Sequence, residues 1–114
     1  VDAPCSGSGT WRRNPEGRWR LTAERLQRLL AVQVHLLDIA AELVRPGGAL
    51  VYAVCSLLSR EGAGQIERFL ERHSSWISEE VAIDGGRADG AGRLLTPAYD
   101  HTDGFFVARL RRPC

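Results

Sequence analysis

The stretch PGGALVYAVCS, residues 46–56, decides how the chain is read. Pro46, Gly47 and Gly48 stop whatever precedes them, because Pro removes a helical hydrogen bond and Gly raises the entropic cost of order. The apolar run Ala49 to Val54 follows without a polar break. Such a run, bounded by turn residues, reads as a strand covered on both faces, as parallel sheets have. Cys55 and Ser56 sit at its end.

Upstream, Leu26, Leu30, Val34, Leu37, Ala41 and Val44 recur at helical spacing, and Leu29, Val32, Leu36, Ala40 and Leu43 widen that face. The pattern predicts a long helix packed on a sheet, capped by Thr22 with Glu24 at the positive end of its dipole. Downstream, Ile66, Phe69 and Leu70 mark a second helix from about Arg60 to His73, weakened by Gly62 and Gly64 by about 1 kcal/mol each relative to Ala. Val81 to Ile83 reads as a short strand. DGGRADGAG at 84–92 has no large apolar anchor and is expected to be a mobile loop, whereas GFFVARLR at 104–111 reads as a strand with a short tail behind it. The order predicts an α/β domain of three layers, with a mostly parallel sheet joined by right-handed crossovers and an antiparallel last strand.

The chain opens VDAPCSGSGT, an apolar entry running into a tight loop that carries Asp2 and Cys5. If this entry ends one strand and Val54 ends its parallel neighbour, about 4.8 Å away, both Cys5 and Cys55 approach the crevice beyond the carboxyl ends where α/β sheets bind ligands. Near misses sharpen the reading. A phosphatase-type loop wants Arg where Trp11 stands, and a dinucleotide-binding loop wants Gly where Arg12 stands. Gly7 and Gly9 therefore read as positions of close backbone approach.

Composition excludes several classes. With 44% hydrophobic and 25% charged residues, the 114-residue chain is neither disordered nor membrane-like in composition, and no signal-peptide pattern is visible. A cytoplasmic location is the default expectation. The formal charge is +1, yet Arg12, Arg13, Arg18 and Arg20 cluster beside the opening loop. Cys5, Cys55 and Cys114, like His35, His73 and His101, are too scattered for a zinc site or a disulfide framework, so no metal is expected. Methionine is absent and the first residue is a strand-like Val, so the chain is expected to be the C-terminal half of a longer catalytic domain.

DAPCSGSGT at 2–10, WRRNPEGRWRLT at 11–22, PGGALVYAVCS at 46–56 and DGFFVARL at 103–110 together resemble the C-terminal part of the NOL/NOP/Sun family of RNA cytosine-carbon-5 methyltransferases, in its bacterial Sun type. The resemblance implies a Rossmann-like domain that uses S-adenosylmethionine and small-subunit ribosomal RNA. It implies Cys55 as the nucleophile that adds to carbon-6 of cytosine, and Cys5 as the thiol that assists product release. Asp2 is then expected near both the cofactor's methyl and the target base. Pro4, which shapes the turn, joins Asp2, Arg12, Arg13 and Arg20 as an expected substrate contact.

The arginines suit RNA phosphates and Trp11 and Trp19 suit stacking on splayed bases, although core packing is an equal reading of both tryptophans. Tyr52 reads as core, and His35 as a packing residue of the long helix. Two departures from the family pattern stand out: Val54 where Thr is usual, and Glu61-Gly62-Ala63-Gly64 where an acidic stretch is usual. They leave open a non-catalytic RNA-binding module as the alternative to an enzyme that is monomeric when intact. The Gly-rich cofactor loop of the family is not among these residues, so the 114 residues alone are expected to be inactive. Isothermal titration calorimetry of this chain with S-adenosylmethionine should accordingly give no micromolar binding.

Overall fold

The computed structural model describes all 114 residues. A 3-10 turn at Ser8–Thr10 and a short helix α1 (Gly17–Arg20) lead into the long helix α2 (Ala23–Leu43). Strand β1 (Ala49–Val54), helix α3 (Ala63–Arg72) and strand β2 (Ile77–Glu79) follow. The chain then forms β3 (Arg87–Asp89), β4 (Gly92–Leu95), the helical turn α4 (Pro97–Asp100) and β5 (Phe105–Arg111). Helix α2 starts as its sequence dictates, with the Thr22 hydroxyl accepting from the Arg25 amide at 3.1 Å. It stops before Pro46, where Gly47 takes a positive φ of 77° that other residues rarely adopt.

The sheet corrects the expected topology. β5 pairs antiparallel with β1 along one edge, and with β2 and β4 along the other; β3 extends the sheet from β4, also antiparallel. The parallel element is confined to the opening residues. Asp2 bridges Ala53, with Ala3 donating to the Ala53 carbonyl at 3.1 Å and Ala53 to the Val1 carbonyl at 2.8 Å. The expected neighbourhood of the two strand ends therefore holds, while the mostly parallel sheet does not.

The layering also differs. Leu50, Tyr52 and Val54 face Phe106, Ala108 and Leu110, and over them lie Leu37 and Ala41 of α2 with Ile66 and Phe69 of α3. Both helices thus cover one face, making two layers rather than three. Because alternate strand residues point to opposite faces, the apolar run of β1 is not buried throughout, and Val51 is 43% exposed.

Two local expectations fail for reasons visible in the polar contacts. The strand expected at Val81–Ile83 lies instead at Ile77–Glu79, where Glu79 stands directly opposite Arg109. Glu79 pairs with Arg109 at 3.1 Å and Arg111 at 3.0 Å, and hydrogen bonds from these two arginines hold its carboxyl below the usual range. The loop at 84–92 is an ordered turn and hairpin. Polar ties replace the missing apolar anchor: Arg93 donates to the Gly85 carbonyl at 2.9 Å and the Gly86 carbonyl at 2.7 Å, and Asp100 accepts from the Gly86 amide at 2.8 Å. His35, expected to pack, is exposed. The second helix begins at Ala63, after a turn in which the Gly62 amide donates back to Leu58 at 3.2 Å.

The opening loop is clamped to the start of β5. The Gly104 amide donates to the Gly9 carbonyl at 2.7 Å, and a Cβ on Gly9 would lie 1.8 Å from the Gly104 carbonyl oxygen. Gly9 is therefore a position of close approach, as expected. Thermal or urea denaturation of Gly9→Ala should show destabilisation of about 1–3 kcal/mol, the range for overpacking against a neighbour that cannot yield.

Candidate active site

Beyond the paired ends of the opening residues and β1, the Cys5 and Cys55 loops lie side by side, with the Cys55 backbone within hydrogen-bond reach of the Cys5 thiol. Cys55 is exposed and Cys5 is partly buried against the core. The Gly9 amide donates to the Cys55 carbonyl at 3.0 Å, which joins the two loops through their backbones. Burial pushes the Cys5 thiol above its ordinary value. Backbone amides at Gly7 and Cys55 pull it back, and the charges of Glu61 and Cys55 add to the rise.

Glu61 lies beneath both loops with no exposed surface. A buried carboxylate requires hydrogen-bond donors, and the surrounding segments provide them. Ser6 donates through its amide at 2.8 Å and its hydroxyl at 2.5 Å, Ser56 through its hydroxyl at 2.6 Å, and Gln33 of α2 through its amide at 2.9 Å. Gln33 also holds the Pro4 carbonyl at 2.9 Å and accepts from Gln65 of α3 at 3.0 Å. Ser8 and Ser56 hydroxyls meet at 3.1 Å, and Ser8 accepts from the Leu57 amide at 2.9 Å. Tyr52, wholly buried as expected, donates to the Glu61 carbonyl at 2.6 Å, and burial drives its phenol far above the usual range.

The sequence carries one signal of this network. Gln33 falls in the apolar stripe of α2 between Leu30 and Leu37, and Gln65 beside Ile66 on the inner side of α3. An amide in a stripe that faces a core implies buried polar partners. Glu61 was visible only as the remnant of an acidic stretch.

The other expected site residues lie around the same loop. Asp2 is exposed at its bridge to Ala53, and Pro4 is exposed with its carbonyl held by Gln33. Arg12 and Arg20 are exposed, whereas Arg13 is tied to Asp103 at 2.6 Å. Trp19 is 78% exposed, with the Arg18 guanidinium 5.0 Å from its ring centre, so core packing is excluded for it. Trp11 packs against Gly17. Ser6, Thr10, Trp11, Asn14, Arg20 and Arg25 line a polar cavity of about 110 Å³ beside the Cys5 loop. A larger cavity of about 540 Å³, between α3 and the β3–β4 turn, is lined by neither cysteine. Val54 is in the core, 1% exposed, so the hydroxyl it lacks would not face the cleft.

A family model described as 16S rRNA methyltransferase RsmB/F matches residues 1–111. The chain belongs to the RsmB/F methyltransferase family. Among curated relatives of this RsmB/F chain, a probable ribosomal RNA small subunit methyltransferase B of Synechocystis sp. is 44% identical, over 98% of the chain and 26% of the relative. Ribosomal RNA small subunit methyltransferase B of Thermus thermophilus is 43% identical, over 98% of the chain and 28% of the relative. The chain thus spans about a quarter of the length of the curated relatives it matches. The crystal structure of NSun6 from Pyrococcus horikoshii with SFG superposes with a TM-score of 0.85 at 27% identity, over 98% of this chain and 29% of that one. The described fold is thus shared with that structure.

Ser56 is the hydroxyl common to the Glu61, Ser8 and Leu58 contacts. Ser56→Ala should cost about 1–3 kcal/mol in urea denaturation, since it leaves a buried carboxylate short of a donor.

Proposed function

We propose that this chain forms the cysteine-bearing C-terminal part of an enzyme that methylates carbon-5 of cytosine in RNA, with small-subunit ribosomal RNA as substrate. The observation that carries the reading is the pair of thiols brought to one place by the Asp2–Ala53 bridge and the Gly9–Cys55 hydrogen bond, within a chain of the RsmB/F family. A single free cysteine is usually a small buried hydrophobe. Two at the tips of adjacent strands, one of them exposed, suit covalent chemistry better.

Carbon-5 of cytosine is a weak nucleophile. In the proposed mechanism the Cys55 thiolate adds to carbon-6, its electron pair forming the carbon–sulfur bond while the ring's double-bond pair becomes available at carbon-5. S-adenosylmethionine, when bound, supplies an electrophilic methyl group on a sulfonium. The hydrogen at carbon-5 then leaves as a proton taken up by solvent water, its bonding pair rebuilds the ring double bond, and the carbon–sulfur bond breaks to return the Cys55 thiolate. Cys5 assists that last stage from the other side of the cleft.

The residues present fit the cofactor's reactive end. Asp2 is an exposed carboxylate at the strand tip, suited to face a sulfonium cation and the exocyclic amine of cytosine. That a family structure was solved with SFG, an S-adenosylmethionine analogue, supports this choice of cofactor. Arg12, Arg13 and Arg20 are assigned to RNA phosphates, Arg13 at the cost of its Asp103 partner, and the exposed Trp19 to stacking on a base. Pro4 keeps the Cys5 loop facing the base through the Gln33 contact to its carbonyl.

In a protein of full family length carrying this chain, Cys55→Ser should lower turnover on the order of a thousandfold or more. Cys5→Ser should instead accumulate a covalent RNA adduct, seen as a denaturation-resistant band. Undiminished turnover in both variants, with no adduct, would remove the assignment.

A further inference from the structure

Glu61 is a buried carboxylate unused by the chemistry above. Its carboxylate receives donors from the Cys5 loop, the Cys55 loop and α2, so it is a single joint between the two thiols. No cation compensates it among its hydrogen-bond partners, which are two serines and a glutamine. Neutral donors satisfy the carboxylate without cancelling its field as a cation would. A serine or threonine hydroxyl could tie two loops as well, so the choice of a carboxylate calls for an electrostatic reason.

The two cysteines differ in how they meet that field. Cys5 follows Pro4 and precedes Ser6, whose amide and hydroxyl both point at Glu61, whereas Cys55 is exposed to solvent. The titratable groups that act on Cys5 are Glu61, the Cys55 thiol and, from β1, the Tyr52 phenol; α2 contributes only the neutral Gln33 at this point. No positive charge is among them. A negative charge beneath one thiol and solvent around the other disfavours thiolate at the first.

We infer that Glu61 is a positioning residue of the two-cysteine site: it ties both loops together and, by facing Cys5 with a negative charge, reserves attack on the base for Cys55. The inference deepens the methyl-transfer reading and rests on it for its meaning. Cys5 stays a neutral thiol while Cys55 adds to the ring. Its S–H is then available to donate a hydrogen bond to the departing Cys55 sulfur when the adduct breaks. The Cys5 thiol is raised first by burial, and the Glu61 charge adds to that rise.

The test needs neither RNA nor cofactor, so it can fail while methyl transfer stands. In the full-family-length protein, alkylation rates of Cys5 and Cys55 by iodoacetamide are followed against pH by peptide mass spectrometry, in wild type, Glu61→Gln and Ser56→Ala. The midpoint of each profile reports thiolate formation independently of how accessible the sulfur is. In Glu61→Gln the Cys5 profile should move to lower pH, raising its rate at about pH 8 by about threefold or more relative to Cys55. In Ser56→Ala, which loosens the joint but keeps the charge, the Cys5 profile should stay where it is.

Equal movement in both variants would mean that loosening alone is responsible, and no movement in either would mean that the charge is irrelevant; each overturns the inference. Should Glu61→Gln fail to fold, the wild-type profile decides: a Cys5 midpoint at or below that of a cysteine in an unstructured peptide overturns it. Loss of adduct and turnover differences in the Cys55→Ser and Cys5→Ser variants, with the alkylation pattern intact, would instead sink the methyl-transfer reading and leave the Glu61 joint standing.

Discussion

A carboxylate with no exposed surface and no cationic partner is the constraint on which the rest of this structure depends. Glu61 can be buried only because Ser6, Ser56 and Gln33 converge on it, and they can converge only if the opening loop, the end of β1 and the middle of α2 keep their positions. The three segments are far apart in sequence. Removing any donor leaves part of a buried charge unsatisfied, a penalty larger than the net gain of an ordinary hydrogen bond. The network therefore acts less as added stability than as a filter against alternative packings, since a shifted loop would strand the carboxylate. Tyr52 and Gln65 extend the same filter to β1 and α3.

β5 provides the complementary constraint from the sheet. It pairs with β1 from Phe106 to Arg111 and shares its other edge between β2 and β4. Every strand after α3 is thus fixed by reference to β5, and its inward residues Phe106, Ala108 and Leu110 meet Tyr52 and the two helices. The outer face of the same strands carries Arg109 and Arg111, both paired with Glu79. This split explains how one strand can be central in the sheet and still bear charge at alternate positions. The clamp of Gly104 on Gly9 ties the start of β5 to the cysteine loop, so the sheet and the site are positioned together.

What the sequence made legible follows from which signals are local. The long helix shows in its periodicity and in Thr22, because both depend on residues within a turn or two. The meeting of Cys5 and Cys55 is legible too, since strand ends joined by one helix tend to be neighbours. Strand direction is not. The apolar run of β1 matches a strand buried on both faces as well as one whose outer side chains are small or merely apolar, and only Val51 and its exposure separate the two. The hairpin at Arg87–Leu95 was hidden for a different reason: Arg93, Asp100 and three glycines with positive φ hold it, and such polar ties leave no hydrophobic pattern. Glu61 illustrates the same limit, for the burial of a charge is decided by donors supplied from elsewhere in the chain.

The placement of the network bears on how the proposed two-thiol site can work. An exposed nucleophile needs freedom to approach a base, yet a misplacement of about 1 Å at a reacting centre can cost on the order of a hundredfold in rate. The structure reconciles these demands by depth. Cys55 is at the surface, while the atoms that fix its backbone, from Ser56 to Glu61 and across to Ser8, are buried one layer below. Rigidity is therefore built into the support rather than into the side chain proposed to react. Cys5 occupies the intermediate depth, partly buried, where the same network that holds its loop also sets its electrostatic environment. Position and charge are coupled there through Glu61, so a substitution at Glu61 alters both, whereas Ser56→Ala loosens the joint while the carboxylate itself is retained.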